Sequence, residues 1–212
     1  MKTEDLIAKL GADNSRRSWS PAATLLIAAA TSVIVAGLLL MLTMGVRPDV
    51  AEALTTWRFD FKFVVTLTVV VSAYSLLHRA LFPQSGARFP TWLLLAGPAV
   101  LLAGVAFELI AMPEAGWAMA ATGKNSLLCL TVIPALGIVP LALLVWALRQ
   151  GAPTRPTLGG FCAGILAGGI AATFYAANCT DDSPLFVATW YPIAVIALGA
   201  AGAVLGRYAA RW

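Results

Sequence analysis

Long apolar blocks without a charged residue dominate this sequence and restrict what it can fold into. A helix needs roughly 20 mostly apolar residues to cross the hydrocarbon core of a bilayer. Five uncharged stretches meet or nearly meet that length: 22–46, 89–107, 125–148, 156–180 and 183–206. A sixth, 63–77, is shorter, but the basic side chains at its ends extend it by reaching outward. Because the blocks are continuously apolar and do not alternate, they predict a helical bundle and not a β-barrel.

The composition agrees with a membrane domain. The chain is 60% hydrophobic and only 11% charged, too few polar residues to coat a soluble domain of 212 residues. We therefore predict an all-α, polytopic membrane protein with a tail at residues 1–20 and one transmembrane domain at 21–212. The first block is too long for a cleaved signal peptide, so we interpret it as an uncleaved span. The six predicted helices cover about 22–45, 60–82, 90–112, 126–148, 158–178 and 186–208.

The basic residues orient this bundle. Four of them precede the first span, which favours a cytoplasmic N-terminus. With six spans, ten of the fourteen basic residues lie on the cytoplasmic side, and the C-terminus is cytoplasmic too. The four on the other side are Arg47, Arg58, Lys62 and Lys124. The net charge of +4 mostly reflects this bias, so it gives no reason to expect a nucleic-acid partner.

Glycines repeat at a spacing of four in the last two spans. The fifth span carries Gly160, Gly164 and Gly168 on one face, and the sixth carries Gly199, Gly202 and Gly206. Small residues at this spacing let helices approach closely. The simplest interpretation is packing within the chain, and a homodimer through these glycine-rich faces is the alternative.

Few ionisable residues fall within the spans. Glu108 lies near the outer end of the third span, and Asp60 and Lys62 lie near the outer start of the second. We expect a Lys62–Glu108 or Lys62–Asp60 contact at the interface, within reach of water. A transporter would need polar groups at several depths, which this sequence lacks.

Two of the three cysteines fall at the same, non-cytoplasmic end of consecutive spans. Cys129 lies about one turn into the fourth span and Cys179 lies at the end of the fifth, whereas Cys162 lies near the opposite end and is expected to be a packing residue. Such a pair binds a soft cation as thiolates, with carboxylates such as Asp181 and Asp182 completing the site, or forms a disulfide. It is equally consistent with two inert cysteines at helix ends. A thiol oxidoreductase is a further alternative, although no CxxC motif occurs.

Four segments resemble the NrsF family of six-span bacterial anti-sigma factors. They are MKTEDLIAKLGAD, RPDVAEAL followed by Lys62, LLCLTVIPALGIVP around Cys129, and NCTDDSPLFVATWY around Cys179. The resemblance implies a non-enzymatic regulator that holds an extracytoplasmic-function sigma factor at the inner membrane and releases it under stress. It also implies that Cys129 and Cys179 are the pair that senses heavy metal or oxidation. Family members often carry His before the second cysteine, where this chain has Asn178.

The N-terminal tail contains a candidate binding segment for the sigma factor. Thr3 is suited to cap a short helix with Glu4 and Asp5 in its first turn. Leu6, Ile7 and Leu10 then form an apolar stripe that fits a groove on a cytoplasmic partner, or alternatively the membrane surface. Because the tail is short, the cytoplasmic loops at 83–89 and 149–157 are expected to contribute. No resident cofactor is expected, apart from a regulatory metal ion at the cysteine pair.

Overall fold

The protein is a bundle of long helices. The computed structural model describes residues 3–5, 19–81, 92–151 and 153–209, and these residues contain no β-strand. The long helices are α1 (Pro21–Thr43), α3 (Trp57–Leu81), α4 (Leu93–Ala111), α6 (Ser126–Gln150), α7 (Pro156–Ala176) and α8 (Pro184–Ala209). Between them lie two short helices, α2 (Val50–Ala53) and α5 (Trp117–Thr122), and a 3₁₀ turn at Glu114–Gly116.

The six long helices lie where the apolar blocks predicted them. All except α4 are long and apolar enough to cross a membrane. The helix α4 is the shortest of the six, with 19 residues. The structure thus confirms the all-helical fold and five helices able to span a bilayer.

Local chemistry sets several helix boundaries. Ser20 caps α1 by accepting a hydrogen bond from the Ala23 amide at 3.2 Å, and Pro21 follows at the first helical position. Pro156 begins α7 in the same way. After α1 the chain turns at Gly45, where φ is +70°, a conformation that favours glycine.

The glycine faces of α7 and α8 pack against each other within the chain. A Cβ at Gly164 would meet the backbone of Leu198 and Gly199, and one at Gly160 would meet the backbone of Gly202. This confirms the prediction of intramolecular packing. The alternative, a homodimer through the same faces, stays a prediction.

Buried apolar side chains form two core clusters. The first, which we call the leucine cluster, includes Leu76, Leu77, Leu144, Leu148 and Cys162. The second, the thiol cluster, lies nearer the other end of the bundle and includes Cys129, Tyr175, Cys179, Phe186 and Tyr191. The helix α7 contributes to both clusters and is the most buried of the five long apolar helices.

Candidate functional site

The structure brings the two predicted cysteines into one cluster. Cys129 lies in the first turn of α6, and its side chain is fully buried. Cys179 lies three residues after the end of α7 and is 2% exposed, with its amide bonded to the Tyr175 carbonyl at 2.9 Å. Both are free thiols. Cys162 belongs to the leucine cluster, apart from the pair.

The thiol of Cys179 is held in its protonated form. Burial raises the pKa of Cys179, and the positive charge of Lys62 and a hydrogen bond with the Tyr175 hydroxyl only partly oppose that effect. The sulfur lies 3.8 Å from the carbonyl oxygen of Asp181. Because the thiolate is the reactive and metal-binding form, this environment keeps the resting thiol slow to react.

Two cationic side chains bind the backbone carbonyl of Cys179. The Lys62 ammonium is fully buried and donates to the Cys179 carbonyl at 2.8 Å. Arg47, 7% exposed, donates to the same carbonyl at 3.3 Å. Both also bind the carboxylate of Asp182, Lys62 at 2.6 Å and Arg47 at 2.8 Å. The two cations further lie over the ring of Phe59, with distances to the ring centroid of 5.2 and 5.7 Å.

Other residues of the segment between α7 and α8 bind the ends of two more helices. Asp181 accepts hydrogen bonds from the backbone amides of Lys124 at 2.9 Å and Asn125 at 2.8 Å, so it holds the start of α6. Asn178 donates to the Gly45 carbonyl, just after α1, at 3.0 Å. We call residues 177–183 the thiol loop.

A second ion pair connects the thiol loop to α4. Glu108 is fully buried and forms a salt bridge with Arg58 of α3 at 3.0 Å. Ser183, at the end of the thiol loop, lies 3.4 Å from the same carboxylate. The expected Lys62–Glu108 or Lys62–Asp60 contact is wrong, because Lys62 pairs with Asp182 and Glu108 pairs with Arg58. The expected access to water is wrong for Lys62 and Glu108, which are fully buried, and is confirmed for Asp60, which is exposed.

The thiol loop is therefore a junction of the bundle. Its seven residues contact the end of α1 through Gly45 and Arg47, α3 through Lys62, α4 through Glu108, and the start of α6 through Asn125. The Cys179 carbonyl is bound by cations from two of these elements, Lys62 of α3 and Arg47 just after α1.

Two tyrosines complete the surroundings of the thiols. The Tyr175 and Tyr191 rings are 6.1 Å apart, centroid to centroid. The Tyr191 hydroxyl is buried and has no hydrogen-bond partner among the described residues. A buried hydroxyl without a partner is energetically costly, so this one is available to a group that enters or forms in the cluster.

The predicted carboxylate ligands are already engaged. Asp182 is bound by Arg47 and Lys62, and Asp181 by the amides that start α6. Within the described part of the chain, no group of three or more His, Cys, Asp or Glu side chains is arranged to hold a metal ion. Of the predicted ligands, the two sulfurs are left for a soft cation, and either carboxylate would have to leave its present partners to join them.

Sequence reasoning missed Arg47, Arg58, Tyr175 and Tyr191 as parts of the site. A signal for the arginines was present, since each of the four basic residues on the predicted non-cytoplasmic side departs from the expected charge bias. Of the predicted tail segment, Glu4 and Asp5 are helical and exposed. The remaining tail residues of that prediction, Leu6, Ile7 and Leu10, lie outside the described residues.

These features define a class of protein: a helical membrane protein with a buried pair of thiols. One of the two thiols lies in a loop whose residues bind several helices. The sequence model of the family described as NrsF, negative regulator of sigma F, matches residues 10–212. The chain belongs to this family of regulatory proteins.

Two relatives align with this chain over its whole length. A protein of Caulobacter vibrioides (strain NA1000 / CB15N) named anti-sigma-F factor NrsF is 34% identical over 216 residues. A protein of Azospira oryzae (strain ATCC BAA-33 / DSM 13638 / PS) named probable anti-sigma-F factor NrsF is 32% identical over 216 residues. In both comparisons all of this chain and all of the relative are covered. No solved structure matches the chain.

Proposed function

We propose that this chain is a membrane anti-sigma factor that holds an extracytoplasmic-function sigma factor at the bacterial inner membrane and releases it when Cys129 and Cys179 react. The family and the names of its full-length relatives support the anti-sigma role. The observation that carries the sensing role is the thiol loop, in which the backbone of one cysteine is bound to cations that tie together several helices.

The proposed topology has six spans with both termini in the cytoplasm. At 1.5 Å per residue, the 19 residues of α4 extend about 28 Å, close to the hydrocarbon thickness. Six spans place the thiol loop on the non-cytoplasmic side, where oxidants and metal ions arrive from the environment. They also place Arg149 and Arg207, in the last turns of α6 and α8, on the cytoplasmic side.

The trigger is the conversion of two buried thiols into a linked pair. An oxidant such as hydrogen peroxide takes two electrons and two protons from Cys129 and Cys179, which form one disulfide bond while the peroxide becomes two waters. A soft metal ion instead displaces the two thiol protons and joins the sulfurs through itself. Both reactions draw Cys179 toward Cys129 and change the position of the thiol loop.

The signal then travels through the polar contacts of the thiol loop. Movement of the Cys179 carbonyl and of Asp182 weakens their bonds to Lys62 and Arg47, which lie on α3 and just after α1. The inducer favours the released state only to the extent that it binds or stabilises that state better than the resting one. On the cytoplasmic side the tail residues Glu4, Asp5, Leu6, Ile7 and Leu10 are the proposed contacts for the sigma factor, together with the loop at 149–157.

A cysteine series tests the sensing role. The strain carries a reporter for the sigma factor and receives wild type, Cys129→Ser/Cys179→Ser or Cys162→Ser. The double variant is expected to keep repression and to lose induction by peroxide and by a soft metal such as Cd²⁺, whereas Cys162→Ser behaves as wild type. Normal induction in the double variant would show that the pair is not the sensor.

Deletion of residues 1–15 tests the partner interface. We expect the shortened chain to insert in the membrane and to stop co-purifying with the sigma factor. If co-purification is retained, the binding surface lies in the loops at 83–89 and 149–157.

A further inference from the structure

A cavity of about 550 Å³ lies inside the bundle, between α3, α4, α7 and α8. The helix α4 packs on α3, where Gly97 faces Val69 and Gly104 faces Phe61, and it also contacts α8. The cavity separates it from α7. This volume is within the range of about 300–1,000 Å³ that binds small molecules.

The cavity is elongated along the helices. Its wall on α7 runs from Phe161 to Ala172, and its wall on α8 runs from Val187 to Ile196. From Phe161 to Ala172 the helix rises by about 16 Å. Since α7 and α8 are membrane-spanning helices, the long axis of the cavity follows the direction of the lipid chains.

The chemistry of the wall favours hydrocarbon over water. The lining side chains are nearly all apolar, and the hydroxyl of Thr66 already donates to the Lys62 carbonyl at 3.0 Å. A buried water needs two to four polar partners, and an empty cavity forfeits the dispersion contacts of its walls. Two lining residues, Leu102 and Ile196, are more than half exposed on the outer surface of the bundle. Hydrocarbon from the surrounding bilayer can therefore enter between α4 and α8.

We propose that this cavity is a binding site for one fatty acyl chain of a membrane phospholipid. The chain fills the space between α4 and α7 and so fixes the position of α4, whose Glu108 binds Arg58 and approaches Ser183 of the thiol loop. It also contacts Tyr191, which lines the cavity and belongs to the thiol cluster. Tyr191 thus belongs both to the lining of the lipid site and to the surroundings of the thiol pair.

A cavity-filling variant tests the proposal. Ala188 lines the cavity on α8, and Ala188→Leu occupies part of it. Ala200 is exposed on the same helix, so Ala200→Leu is the matched control. Native mass spectrometry of the full chain released from detergent micelles measures the retained lipid. We expect one phospholipid per chain for wild type and Ala200→Leu, and at least fivefold lower occupancy for Ala188→Leu.

A crosslinking experiment on the wild-type chain tests the lipid site independently, in case Ala188→Leu does not fold. A phosphatidylethanolamine with a diazirine in the middle of its acyl chain is incorporated into nanodiscs and photolysed. We expect crosslinks at Leu101 and Ile165, which line the cavity, in addition to bulk-lipid positions such as Ile110, which is 87% exposed.

Three results would overturn the lipid site: crosslinks confined to bulk-lipid positions, equal lipid retention in all three proteins, or a retained molecule without a fatty acyl chain. Each leaves the cysteine series unaffected, because repression and induction are measured separately. A failure of the lipid site is thus distinct from a failure of the proposed sensing role.

Discussion

The leucine cluster and the thiol cluster hold together opposite ends of the same helices by different means. The leucine cluster buries mostly aliphatic side chains and a single thiol, Cys162. The thiol cluster buries two thiols and two tyrosines, and close to it lie buried Lys62 and Glu108. Both clusters are built on α7, so the difference comes from what surrounds that helix.

This difference assigns different roles to the two ends. Aliphatic packing depends on shape and is insensitive to oxidants or metal ions. A buried ion pair requires both partners, and the loss of one leaves an uncompensated charge. Under the proposed function, chemistry at the thiol loop is therefore expected to disturb these ion pairs, whereas the closely packed leucine cluster and the glycine contacts are expected to move as rigid bodies.

The largest expected effect is at the thiol end. Lys62→Met removes a fully buried ammonium that binds Asp182 and the Cys179 carbonyl. Breaking a buried pair costs roughly 3–5 kcal/mol, so we expect a large drop in the midpoint of thermal unfolding in detergent. Lys124→Met, at an exposed position, is the control and should change stability by about 0.5 kcal/mol or less. A stability of Lys62→Met equal to that of the control would contradict the buried junction.

Substitution of alanine for a glycine at the α7–α8 contact tests the close packing at the leucine end. In Gly164→Ala the added Cβ would overlap the backbone of Leu198 and Gly199, so α7 and α8 must separate. Overpacking of this kind typically costs about 1–3 kcal/mol. Gly116→Ala is the control, because its Cβ would meet only the flexible side chain of Met112. The midpoints of thermal unfolding compare the two, and equal values would show that the helices are not in close contact at Gly164.

The sequence predicted the leucine end better than the thiol end. Apolar blocks identify helices by length alone, and glycines spaced by four identify the α7–α8 contact, since both signals are local in the chain. The cysteines could be placed at one level because topology fixes which end of a helix faces which side.

The pairing of charges could not be predicted. The predicted spans place Lys62 near Asp60 and Glu108, at the same end of the bundle. In the structure Lys62 instead binds Asp182, 120 residues further along the chain. That pairing depends on how the thiol loop folds back over α3, a property of three-dimensional packing that no spacing encodes. For the same reason, no pattern in the sequence indicated that the Tyr191 hydroxyl is buried without a hydrogen-bond partner among the described residues.

The alkylation rate of the Cys179 thiol tests how strongly the thiol cluster suppresses ionisation, a property that the aliphatic packing of the leucine cluster does not report. In Cys129→Ser/Cys162→Ser, Cys179 is the one remaining thiol, and its rate of alkylation by iodoacetamide reports its ionisation. Burial raises the pKa of Cys179 above the usual value of 9.0, so the rate at neutral pH should be lower than that of an unfolded chain. It should continue to rise above pH 9. Since the folded state prefers the protonated thiol, its stability should fall as pH rises beyond that value.

Lys62→Met in the same background isolates the effect of the buried cation. Without its positive charge the thiolate is less favoured, so alkylation should slow further in the chain that remains folded. A faster rate, at pH values where circular dichroism shows an intact helical content, would mean that Lys62 shields the thiol physically more than it stabilises the thiolate.

The smallest effect is expected at Asp49, on the exposed rim of the thiol end. Hydrogen bonds from Arg47 lower the pKa of Asp49 to about 2, so its ion pair stabilises the fold fully above pH 3.8 and is lost as pH falls toward 2. Because the carboxylate is screened by water, Asp49→Asn should lower the midpoint of unfolding at pH 7 only slightly. The difference from wild type should shrink with added salt and be lost as pH falls through about 2. A difference that stays unchanged across this range would mean that Asp49 acts through a neutral hydrogen bond, and the rim would then resemble the leucine end in its insensitivity to charge.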